Sequence, residues 1–70
     1  MMIKIFKTDV SRIRDAFELS NLLQGILELK RATFDLDDTD HVLRVEGDNY
    51  SADEVLCFLE FCGFEGKELV

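Results

Sequence analysis

Seventy residues leave room for one small domain spanning residues 1–70, and a chain that is 47% hydrophobic and 33% charged reads as globular, neither a disordered tail nor a membrane protein. No run approaches the roughly 18 apolar residues of a membrane span, and Met1–Val10 lacks the apolar core of a secretory signal. Eight basic residues against fifteen acidic ones give −7, which argues against nucleic acid and anionic membranes as partners.

Ile3-Lys4-Ile5 alternates apolar and polar residues and opens a strand ending near Thr8. Asp9 or Ser11 is placed to cap a helix whose apolar stripe is Ile13, Ala16, Phe17, Ser20 and Leu23, with Gly25 suited to its C-terminal stop. Leu29 to Leu36 reads as a second strand, with Ala32, Phe34 and Leu36 on one face. Asp37-Asp38-Thr39-Asp40 is turn chemistry, and His41 to Glu46 alternates again as the return strand of a hairpin. After a turn at Gly47-Asp48-Asn49, the sequence Ser51-Ala52-Asp53-Glu54 is a capping box. The helix it opens buries Val55, Leu56, Phe58, Leu59 and Cys62 and ends at Gly63, leaving Phe64 to Val70 for a short edge strand. The order β-α-β-β-α-β closes as an α+β, ferredoxin-like sandwich: a four-stranded antiparallel sheet with two helices on one face.

The segments Phe34-Asp35-Leu36, Val42-Leu43-Arg44-Val45-Glu46-Gly47 and Ser51-Ala52-Asp53-Glu54-Val55, and the ending Leu59-Glu60-Phe61-Cys62-Gly63-Phe64, resemble the heavy-metal-associated domain of copper chaperones and metal-transporting ATPases. The resemblance implies a soft-metal site formed by C-x-x-C in the loop between the first strand and first helix, where two thiolates grip the ion. Here that stretch, Lys7 to Asp15, contains no Cys, His or Met, and Lys7, Arg12 and Arg14 oppose a cation beside Asp9 and Asp15. The resemblance therefore implies the fold with the metal chemistry lost. No cofactor and no metal ligand is carried over.

Other chemistry is weak. Asp35, Asp37 and Asp40 are the best carboxylate candidates for a metal, but an EF-hand reading fails on Asp40, which stands where the loop needs glycine, and on flanks that alternate as strands. A solvated hairpin turn is the simpler reading. Arg12 and Arg14 near a helix N-terminus suggest phosphate, as in acylphosphatases of this topology, but the loop has no glycine. His41 is the sole histidine, read as a partly exposed strand residue, and no catalytic set is recognisable, so an enzyme is not expected.

Cys57 and Cys62 point about 140° apart on one helix, which excludes a disulfide between them and fits a reducing cytoplasm. Cys62 lies on the apolar stripe as filler, whereas Cys57 and Phe61 share an outer face. With Ile3 and Ile5 toward the helices, Phe6 is expected on the open side of the sheet beside Val42. Phe6, Val42, Cys57 and Phe61 are thus the candidate contact residues of a non-catalytic interaction module, partnered by another protein or by itself as a homodimer. Charge divides along the chain: residues 1–31 carry six basic and four acidic side chains (+2), residues 32–70 two and eleven (−9).

Overall fold

Two interleaved hydrophobic patterns, one of period two and one helical, build six elements. The computed structural model describes residues 1–69 and orders them as β1 (Met2–Thr8), α1 (Ile13–Ile26), β2 (Arg31–Asp35), β3 (Val42–Gly47), α2 (Ala52–Phe61) and β4 (Gly66–Leu69). The strands form one antiparallel sheet in the order β2-β3-β1-β4, the ferredoxin-like arrangement expected. Val70, the last residue assigned to the edge strand from sequence, lies outside the described residues.

The first strand turns the other way from expectation. Phe6 is fully buried toward the helices, opposite Leu43 of β3, while Ile3 is 47% exposed on the open face. The alternation of Ile3-Lys4-Ile5 separates two faces without saying which is inside, and the wide aromatic ring wins the core. Lys4 then shares the inner side at the sheet's margin, where its long stem lets the ammonium reach Glu68 at 3.6 Å. Phe6 and Val42 therefore lie on opposite faces and make no common surface.

The first helix is likewise rotated. Ala16, Leu19 and Leu23 are its buried residues, and Ile13 and Phe17, placed in the stripe from sequence, are 80% and 68% exposed. Its N-cap position is Arg12, with no side-chain cap. Asp9 is unavailable for capping because its carboxylate accepts the N–H of Glu65 at 2.8 Å. Nor does Gly25 end the helix: the chain continues to Ile26 and turns out at Glu28, whose φ is 52°. The second helix matches its sequence signature, with both bonds of the Ser51–Glu54 capping box formed.

Burial concentrates in two joined clusters. One centres on Phe6, Leu23, Leu43, Val45, Val55 and Leu59, the other on Val10, Ala16 and Leu19. Phe34, Phe58 and Phe64 pack against both and tie the two into one interior. Gly66 lets β4 pass under α2, since a Cβ there would stand 2.7 Å from Leu59 Cδ1.

Candidate functional site

The segment joining β1 to α1 is held down by its own bonds. Thr8 N–H donates to the Asp40 carbonyl at 3.0 Å and Asp9 N–H to the Glu65 carbonyl at 3.3 Å. The next amide, that of Val10, donates to Thr8 Oγ1 at 3.2 Å, and the Thr8 hydroxyl donates to the His41 carbonyl at 2.6 Å. Val10 itself is fully buried in the second cluster. Three successive amides are thus turned inward to partners in the same chain, and one side chain plugs the core. A loop that binds a phosphate does so with free, converging N–H groups, and these three are taken.

The acidic turn is equally committed. Asp35 Oδ1 accepts the Asp37 N–H at 3.2 Å, Asp38 Oδ1 accepts the Asp40 N–H at 2.8 Å, and Asp40 pairs with Lys7 Nζ at 3.5 Å. These are turn-building bonds of short acidic side chains. The turn is flanked by β2 and β3 rather than by helices, and among the described residues no three or more His, Cys, Asp or Glu side chains gather as metal ligands. His41 is half-buried just before β3, with φ 45°.

Of the contact candidates, Phe6 is removed by burial. Val42 is half-buried on the open face, Cys57 is exposed, and Phe61 is 90% exposed on the outside of α2. Cys62 is half-buried beside the second cluster, as its place on the stripe implies. Two features escaped the sequence reading. One is the pinned Thr8–Val10 segment, whose outside partners, Asp40, His41 and Glu65, lie far along the chain and leave no local signal. The other is the outer flank of α1, where Ile13 and Phe17 line a groove with Ala32, Phe34 and Leu36 along the edge strand β2.

No protein-family model matches the chain, and no curated protein matches it. Among solved structures, the solution structure of the yeast copper transporter domain CCC2A, determined in the apo and Cu(I)-loaded states, superposes with a TM-score of 0.84 over 97% of this chain and 94% of that one, at 18% identity. The chain therefore shares the fold of that copper transporter domain: the ferredoxin-like four-stranded sheet and two helices expected from sequence. No helix among the described residues is long and apolar enough to cross a membrane.

Proposed function

We propose that this chain is a non-catalytic protein-interaction module, built on a heavy-metal-associated scaffold that has given up soft-metal binding. The carrying observation is the β1–α1 segment. It has no sulfur or imidazole donor, its first three amides are bonded internally, and Val10 is locked in the core. A site that must wrap an ion needs donors and room to close around it, and this segment offers neither. The same inward-turned amides argue against acyl-phosphate chemistry.

Contact with other proteins is supported by the apolar residues left outside, Phe61, Phe17 and Ile13 among them. Self-association suits a chain of this size, which gains from shared burial. Two free thiols suit a reducing, cytoplasmic compartment. The test is competition for Cu(I) against a chromophoric chelator, with parallel calorimetric titration of calcium and zinc. The chelator is expected to keep its copper and the titrations to show no binding heat. Withdrawal of copper by the protein overturns the loss of the soft site, and calcium or zinc heat that vanishes in Asp37→Asn points instead to a carboxylate site at Asp35, Asp37 and Asp40.

A further inference from the structure

We propose that two copies of this chain join edge to edge through β2, antiparallel about a two-fold axis at Thr33, into one eight-stranded sheet. The inference rests on the self-association reading above and names the surface that performs it. β2 is an outer strand of the sheet, bonded to β3 on one side only. The Ala32 N–H points away from β3, because it is taken by the Gln24 side-chain oxygen at 3.2 Å. By the alternation of an antiparallel ladder, the N–H and C=O of Phe34 face outward too. Such an edge is a template for another strand, guarded here by shortness and the one Gln24 bond.

The sequence of the edge selects a second copy as its occupant. Arg31-Ala32-Thr33-Phe34-Asp35 is basic at one end and acidic at the other. Antiparallel pairing centred on Thr33 sets Arg31 opposite the partner's Asp35, and Asp35 opposite the partner's Arg31, on the exposed face of the sheet. Ala32 and Phe34 then exchange backbone hydrogen bonds with their counterparts, Gln24 giving way to a carbonyl. Among the described residues no carboxylate of the same chain pairs with Arg31, so its charge is available. A two-fold contact of this kind is self-complementary and closes at two copies.

The helix-side surface supports the same geometry. A two-fold axis perpendicular to the sheet keeps the helices of both copies on one face and brings the two α1 flanks together over the seam. Phe17 and Ile13, 68% and 80% exposed, sit on that flank above Ala32 and Phe34. Pairing gives these side chains the burial that the single chain withholds.

The experiment is sedimentation equilibrium on the full chain and on Arg31→Asp and Asp35→Arg, alone and mixed in equal amounts, with circular dichroism to confirm folding. Both positions are exposed strand sites. The wild type is expected to dimerise and each single variant to do so about tenfold or more weakly, since both symmetric pairs turn repulsive. The equimolar mixture is expected to recover dimers, because the all-acidic edge of one variant then faces the all-basic edge of the other. A wild type that stays monomeric at millimolar concentration removes self-association altogether. A wild type that dimerises while both variants keep its affinity, or a mixture that gains nothing over the variants alone, leaves self-association standing and overturns the β2 seam.

Discussion

The phenol of Tyr50 lies buried under the sheet, where its hydroxyl donates to the Val45 carbonyl at 2.9 Å and meets that of Met2 at 3.3 Å. Burial pushes its pKa above the ordinary value, helped by the nearby Glu68 and Glu46 carboxylates and opposed by a backbone bond at Lys4. The sign follows directly. Above about pH 10 an unfolded tyrosine ionises while the buried one holds its proton, so stability falls as pH rises through that range. Tyr50→Phe is expected to cost about 1 kcal/mol at neutral pH, and urea titrations at rising alkaline pH should show the gap between wild type and variant closing. Glycines make a second contrast at this scale. Gly63 has φ 92° and open space around a would-be Cβ, so Gly63→Ala costs about 1–2 kcal/mol through backbone strain alone. Gly25 stands inside α1 with equally open space, so Gly25→Ala should stabilise by about 0.5–1 kcal/mol. Thermal melts of the two variants should shift in opposite directions.

At the scale of elements, the two helices begin by different means. Ser51 and Glu54 satisfy each other's backbone N–H at the start of α2, whereas Arg12 enters α1 in extended geometry with no cap from its side chain. Ser51→Ala is expected to cost about 1 kcal/mol and Arg12→Ser to gain a few tenths up to about 1 kcal/mol, both read from chemical denaturation midpoints. The capping box was legible because its whole mechanism lies within four adjacent residues. The start of α1 was not, because Asp9 is diverted to Glu65, 56 residues on. Strand alternation was similarly half-informative. It placed Ala32 and Phe34 on the inner face of β2 and Val42 on the open face of β3, where one face is clearly the more apolar. In β1 both faces carry apolar residues, and only the three-dimensional contest between Phe6 and the two isoleucines settles the choice. Of the four candidate contact residues only Phe6 depended on that orientation, and burial removes it from the surface.

The whole molecule resolves the charge division along the chain. The basic first part is not a separate pole: Lys4, Lys7 and Lys30 reach Glu68, Asp40 and Asp48, all in the acidic second part. The exposed pairs of Lys7 and Lys30 stabilise little singly, but together with the half-buried Lys4–Glu68 pair they mean the −9 of residues 32–70 is partly answered within the fold rather than reserved for a partner. Asp48 feels this most, its carboxyl held below the usual range by the hydrogen bond and charge of Lys30. Its contribution is therefore present above about pH 4 and lost as pH falls further. The interior is similarly joined from two parts. Phe58 packs against both clusters, and Phe58→Ala should cost about 3–5 kcal/mol. Against a total of roughly 4–10 kcal/mol for a chain of this length, that loss is expected to leave a substantial unfolded fraction at 37 °C, visible by circular dichroism.

The inward-bonded amides of Thr8, Asp9 and Val10 also bear on motion. Two are anchored to distant stretches of chain, the acidic turn and the entry to β4, and the third to the Thr8 hydroxyl, itself bonded to the His41 carbonyl. To swing outward, the segment must release them together and pull Val10 from the interior, so its opening is coupled to the opening of the sheet. This end of the molecule has no door that unlatches on its own. Amide exchange there should be as slow as in β1, and any ligand that needs it ajar must wait for the fold to come apart.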